Sequence, residues 1–199
     1  IVKMIGDVYA VNCVIDENRD LSYINFGEII SSHLKAVKYI SSYAEVKCGK
    51  EFSTIITTAA GAPLDSNFYQ TIKGMVTPLS ILKEGGDLII VAECSEGLGS
   101  DEFITSQKNL LKVGLDKFLE QILNKEHADI DEWQTEMEVK SLKKGNIYLY
   151  SEGLSNADKK LTGVNITNNL IKTVNESIEK HNNYNVAIIP EGPYVIPVV

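Results

Sequence analysis

Tyr69, Gln70 and Lys73 stand within about one turn of one another in the segment Asn67-Phe68-Tyr69-Gln70-Thr71-Ile72-Lys73. On a helix, Tyr69 and Lys73 are related as i and i+4, and Gln70 and Lys73 as i and i+3, so a phenol, an amide and an ammonium group share a neighbourhood. A cation and an amide donor beside an aromatic surface suit a small carboxylate. The helix start adds to this: Asp65, Ser66 or Asn67 can cap it, and Asn67 with Gln70 has capping-box-like spacing. Free N–H groups at such a terminus favour an anion. A lysine so early in a helix opposes the macrodipole by a few tenths of a kcal/mol, a small cost that a bound carboxylate turns to use. On the residues alone, routine caps and a solvated lysine remain the alternative. The small residues Ala59-Ala60-Gly61-Ala62 just before would let a ligand or another chain approach the backbone closely.

A second loop, Cys94-Ser95-Glu96-Gly97-Leu98-Gly99-Ser100, places a GxG between a strand and a helix. It lacks the third glycine of a dinucleotide fingerprint and the GK[ST] of a P-loop. A stand-alone phosphate-binding role for it is one further reading. Trp133, the single tryptophan, either anchors its helix on the core or walls a pocket, and spacing does not decide between these.

Other chemistries find little support. His33, His127 and His181 form no HxH or HExxH pair, and the acidic stretch Glu126–Glu132 lacks the glycine and spacing of a calcium loop. Cys13, Cys48 and Cys94 are far apart, without a CxxC, and read as small buried hydrophobes in a reducing compartment. No Ser/His/Asp or Cys/His set is apparent, so the chain holds no self-contained catalytic machine and no metal site of its own.

The elements that would position these residues alternate along 199 residues, 44% of them hydrophobic. A hairpin over Val8–Ile15 and Leu21–Phe26, with a polar turn at Asp16–Asp20, is followed by a helix over Ile29–Val46 whose apolar stripe is Ile29, Ile30, Leu34, Val37 and Ile40. Strands are expected at Ser53–Thr58, Asp87–Ala92 (after a break at Gly85-Gly86), Ile147–Tyr150 and Val186–Ile189. Helices are expected at Asn67–Lys83 (kinked or split at Pro78), Asp101–Lys125, Asp131–Lys144 and Ile166–His181. This order predicts an α/β three-layer sandwich with a mixed, largely parallel sheet and an N-terminal β-hairpin, read as one domain over residues 1–199. The 27 acidic against 19 basic residues, net −8, disfavour nucleic acid and anionic membranes as partners. No apolar run approaches the ~20 residues that span a bilayer, and no signal-peptide pattern opens the sequence, so a cytoplasmic location is expected. The first residue is Ile1, not Met, and the chain is expected to be part of something longer.

Pro63-Leu64-Asp65-Ser66-Asn67-Phe68-Tyr69-Gln70-Thr71-Ile72-Lys73-Gly74-Met75 resembles the PLDxNxYQxxKGM motif of the nickel-dependent lactate racemases. Lys83-Glu84-Gly85-Gly86, Cys94-Ser95-Glu96-Gly97-Leu98-Gly99, Trp133-Gln134 and Pro190-Glu191-Gly192-Pro193-Tyr194-Val195-Ile196-Pro197 are similar to the same family. Ala60 and Ala62 depart from its pattern, which commonly has Gly and an aromatic there. The resemblance spans essentially the whole chain and matches the family's C-terminal domain. It implies a two-domain 2-hydroxy-acid racemase that interconverts stereoisomers by hydride transfer to and from a nickel-pincer nucleotide. That cofactor would be tethered to an N-terminal catalytic domain of the same polypeptide, which supplies the histidines. By motif position Tyr69, Gln70, Lys73 and Trp133 would face the substrate, with Lys73 holding its carboxylate or the oxygen gaining carbonyl character. This chain alone would then be inactive. The alternative is a non-catalytic small-anion-binding or regulatory module that retains the fold.

Overall fold

The computed structural model describes residues 2–16 and 18–199; Ile1, and Glu17 of the expected turn, lie outside the described residues. Where the sequence predicts one domain, contacts divide the chain into two compact units, residues 1–46 and 47–199. The first unit holds α1 (Val2–Ile5), β1 (Tyr9–Ile15), β2 (Leu21–Glu28) and α2 (Ile29–Ala44), with the short β3 (Glu45–Lys47) crossing the boundary. β1 and β2 pair antiparallel, as the hairpin reading expects, with Val11 opposite Phe26 and Cys13 opposite Ile24. The Glu28 carboxylate caps α2, accepting from the N–H groups of Ile30 and Ser31 at 3.1 and 2.9 Å. The contact between hairpin and helix is polar. Ser32 of α2 is buried, accepts from Asn12 Nδ2 at 2.7 Å and donates to Asn25 Oδ1 at 2.7 Å. The apolar stripe expected to bury α2 instead leaves Ile30, Leu34, Val37 and Ile40 exposed.

The second unit is built on β4 (Phe52–Thr58), β5 (Leu82–Val91), β6 (Asn146–Tyr150), β7 (Asn165–Ile166) and β8 (Val186–Ile189), in the order β7-β6-β5-β4-β8. All four pairings are parallel, so this sheet is more uniform than the mixed one expected. Between the strands run α3 (Phe68–Val76), α4 (Asp101–Val113), α5 (Leu115–Leu123), α6 (Glu132–Lys144), α7 (Asn156–Lys159) and α8 (Leu170–His181), and β9 (Ile196–Val198) ends the chain. Side chains alternate across a strand, so Leu88 and Ile90 point one way and Asp87 the other. The first face carries α3 and α6 over a core of Ile55, Leu88, Ile90, Ile147 and Leu149 packed with Phe68, Ile72, Met75 and Phe103. Each such side chain contributes about 1.5–3 kcal/mol on burial. The second face carries α8, where Asp87, 1% exposed, accepts from Lys180 Nζ at 2.7 Å and lies 3.1 Å from His181 Nε2. Burial pushes the Asp87 carboxyl up, but hydrogen bonds from Lys180, Ser177 and Asn146 outweigh it and hold it below the usual range. Helices on both faces give the expected three layers.

Several boundaries differ from expectation. The helix expected to run to Lys83 ends at Val76, and the expected split at Pro78 leaves Thr77–Ser80 as a separate 3₁₀ turn. Gly85-Gly86 does not precede a strand but lies within β5, where the register against β4 shifts between Phe52 and Thr54. The single helix expected over 101–125 breaks at Gly114, whose φ of 83° ends α4 and opens α5. The helix expected from Ile166 starts at Leu170 behind an Asn169 cap, because Asn165-Ile166 pairs with β6 as β7. Of the thiols read as buried, only Cys94 is; Cys48 is half-buried and Cys13 exposed.

Candidate functional site

The chain leaves β4, β5 and β6 at the same edge of the sheet, the carboxyl edge where parallel sheets gather ligands. β8 lies on the opposite side of β4 from β5, so the strand order reverses at β4, and the loop after β4 leads directly into α3. α3 buries Phe68, Thr71, Ile72 and Met75, at i, i+3, i+4 and i+7, and this turns Tyr69 and Lys73 outward together. The glycine of the Lys73-Gly74-Met75 run sets how closely α3 lies on the sheet. A Cβ at Gly74 would stand 2.7 Å from the Thr58 carbonyl oxygen, and one at Gly192 would stand 2.6 Å from that same oxygen.

The start of α3 is not the free anion site that the sequence predicts. Asn67 Oδ1 accepts from the Gln70 N–H at 3.0 Å, as a cap should. The Phe68 and Tyr69 N–H groups donate to the Gly97 and Leu98 carbonyls at 3.0 and 2.9 Å. The same two loops are joined further back by Glu96 N–H to the Ser66 carbonyl at 2.7 Å and Cys94 N–H to the Asp65 carbonyl at 2.8 Å. The Asp65 carboxylate accepts from the Glu93 N–H at 3.2 Å. Both conspicuous loops are therefore halves of one hydrogen-bonded structure, and the Gly97-Leu98-Gly99 turn spends its carbonyls on α3. A ligand anion at this edge must rely on side chains.

Those side chains do converge. The Lys73 Nζ lies 5.9 Å from the centre of the Tyr69 ring, and the Tyr69 and Trp133 rings meet edge-to-face at 6.1 Å. On its other side Tyr69 meets the buried Phe103 edge-on at 5.3 Å, which ties the cluster to the core. Trp133 is 49% exposed, which fits a wall and not a core anchor. Lys73 is exposed and pairs with no carboxylate among the described residues. Gln70 stands one residue along; its Oε1 is buried without a partner among the described residues, so the return half of a capping box is not formed.

Sequence reasoning missed two residues. Gln134, fully buried, donates from Nε2 to the Tyr69 carbonyl at 2.7 Å and clamps α6 to α3. Asp131 stands in the N-cap position of α6 but has φ 61° and makes no side-chain cap bond. Its carboxylate accepts from Ser100 Oγ at 2.6 Å instead. It also raises the Tyr69 phenol: burial pushes that group up first, Asp131 adds to it by charge and by hydrogen bonding, and Trp133 opposes. Tyr69 is thus a neutral, oriented phenol. Adjacent to Trp133 in sequence, a cavity of about 750 Å³ is lined by Asp101, Glu102, Asp129 and Glu132. Lys125 is held there at 2.5 Å from Asp129 and from Glu132, which leaves the cavity acidic and unsuited to an anion.

The second unit is thus an open α/β domain on a parallel sheet, with Lys73, Tyr69 and Trp133 grouped at its carboxyl edge. Residues 48–197 match the lactate racemase C-terminal domain, and the chain belongs to that family. It is 30% identical over 199 aligned positions to the lactate racemase of Lactiplantibacillus plantarum, covering 94% of this chain and 44% of that protein. It is 37% identical over 95 residues to the lactate racemase of Thermoanaerobacterium thermosaccharolyticum, covering 48% of this chain and 22% of that one. The solved lactate racemase apoprotein from the latter organism superimposes with a TM-score of 0.83 at 26% identity, over 95% of this chain and 45% of that one. A Thermotoga maritima protein shares the fold at TM-score 0.59 and 11% identity. The chain spans less than half the length of these relatives. No helix among the described residues is long and apolar enough to cross a membrane.

Proposed function

We propose that this chain supplies the substrate-facing C-terminal domain of a lactate-type 2-hydroxy-acid racemase, working with an N-terminal catalytic domain. The observation that carries this reading is Lys73: an unpaired cation beside Tyr69, at the carboxyl edge of the sheet, in a chain of net charge −8. A 2-hydroxy acid brings a carboxylate and a hydroxyl on adjacent carbons. The Lys73 ammonium holds the carboxylate, or the hydroxyl oxygen as it gains carbonyl character, and the Gln70 amide donates to the other. Tyr69 and Trp133 cover the substrate and exclude water, which strengthens the charge on Lys73. Gln134 and Asp131 keep Tyr69 in place.

The family's nickel-pincer nucleotide supplies hydride exchange when bound. On this reading the N-terminal domain holds that cofactor. The role of this chain is binding, orientation and exclusion of water. Its three free thiols suit the cytoplasm as its compartment.

In the complete, cofactor-loaded protein, Lys73→Ala should lower kcat/KM for racemisation by about 10²–10³-fold while leaving the melting temperature unchanged. Near-normal turnover in that variant would overturn the assignment.

A further inference from the structure

The first unit is built the wrong way round for a structure standing in water. Between its hairpin and α2 it buries Ser32, with Asn12 and Asn25 hydrogen-bonded to it. The opposite face of the hairpin is formed by Tyr9, Val11, Cys13, Ile15, Ile24 and Phe26, all exposed, the five large ones by 58 to 71%. These residues are contiguous, because the register places Val11 against Phe26 and Cys13 against Ile24, and Tyr9 stacks on Phe26 at 5.8 Å. A two-stranded ribbon is marginal by itself and needs a packed apolar face, and a continuous exposed apolar face marks an interface.

The match to the lactate racemase C-terminal domain begins at residue 48, two residues beyond the compact unit 1–46, so the hairpin and α2 lie outside the matched residues. They are nonetheless part of the racemase sequence, since the Lactiplantibacillus plantarum enzyme aligns over 94% of this chain. That enzyme is more than twice as long, this chain covering 44% of it. We infer that residues 1–46 are a structural piece of the racemase's other domain, and that the outer face of the hairpin packs against the apolar surface of that domain. The occupant is the remainder of a racemase-length polypeptide, presenting an uncharged helix or sheet face to Val11, Cys13 and Phe26. The inference goes beyond the substrate reading and rests on family length and the unit boundary, so activity has no part in its test.

Cys13, at the centre of the face, is a built-in probe. Maleimide labelling, read by peptide mass, is followed in the wild-type 199-residue chain and in the wild-type product of the complete reading frame. Cys13 should react at least about a hundredfold more slowly in the longer protein, as burial behind a packed domain requires. Equal rates in the two proteins overturn the inference. Protection in the 199-residue chain that grows over about a hundredfold range of concentration also overturns it, because a second copy then covers the face.

Discussion

The two units of this chain solve the problem of apolar surface in opposite ways. In residues 47–199 a core of large apolar side chains lies inside, with Phe68, Phe103, Ile55 and Leu88 wholly buried, although Leu123, Ile171, Tyr184 and Ile188 are exposed. In residues 1–46 the small and polar side chains lie inside, and Phe26 is 71% exposed. Composition does not distinguish the units, since both alternate apolar and polar residues at regular spacing. The difference is completeness. The sheet of the second unit is covered on both faces by its own helices, whereas the hairpin of the first has one helix and a bare face. A periodic apolar pattern reports which face of an element is buried in the working assembly, and that assembly need not be contained in the chain at hand.

The contrast is open to direct attack. Its largest consequence is that Phe103→Ala should destabilise the 199-residue chain by about 3–5 kcal/mol, while Phe26→Ala, an equal deletion, should change it by less than about 0.5 kcal/mol. Urea unfolding followed by circular dichroism measures both, and equal costs would erase the distinction. Close packing in the second unit makes a smaller claim. Gly74→Ala drives a methyl group to 2.7 Å from the Thr58 carbonyl and should cost about 1–3 kcal/mol by the same assay. Retention of full stability there would mean that α3 can lift off the sheet freely.

The most specific effect concerns a polar group placed in that otherwise apolar interior. Glu138 of α6 is fully buried; Gln107 Nε2 donates to its Oε2, and its Oε1 has no partner among the described residues. Burial pushes this carboxyl from 4.5 up to about 8, against the opposing hydrogen bond from Gln107. Between those two pH values the unfolded chain is ionised here and the folded one is protonated. The folded state therefore binds the extra proton, and stability falls as pH rises. The loss is absent well below pH 4.5, grows as pH rises between the two values and levels off above about 8. Glu138→Gln should remove that slope from the pH dependence of the urea midpoint. An unchanged slope would show that Glu138 is ionised in the folded protein.

Much of the candidate site was legible because helix spacing is a local rule. The positions of Tyr69, Gln70 and Lys73 on α3 followed from i, i+3 and i+4 relations, and the Asn67 cap from its place before the helix. What failed was the assumption that the end of α3 is free, since its N–H groups are taken by Gly97 and Leu98, a loop about thirty residues away in sequence. Asp131 was invisible for a similar reason. An aspartate before a helix reads as a cap, and only the approach of Ser100 and Tyr69 draws its carboxylate away. The break at Gly114 had a signal in the glycine itself, but the stripe Leu110, Leu115, Phe118 and Ile122 ran on across it, because α4 and α5 bury their apolar faces in adjoining places.

By itself, the sequence determined the class of fold, the strand–helix order, the family and the residues of the α3 face, because each is written in short-range periodicity or in a contiguous motif. Tertiary structure alone decided which backbone donors are spent, that Trp133 stands half exposed against Tyr69, that Glu138 is buried nearly unpartnered, and that the opening hairpin turns its apolar face outward. Those outcomes depend on which distant segments meet, and on whether a packing partner is there to be met. No local pattern encodes that.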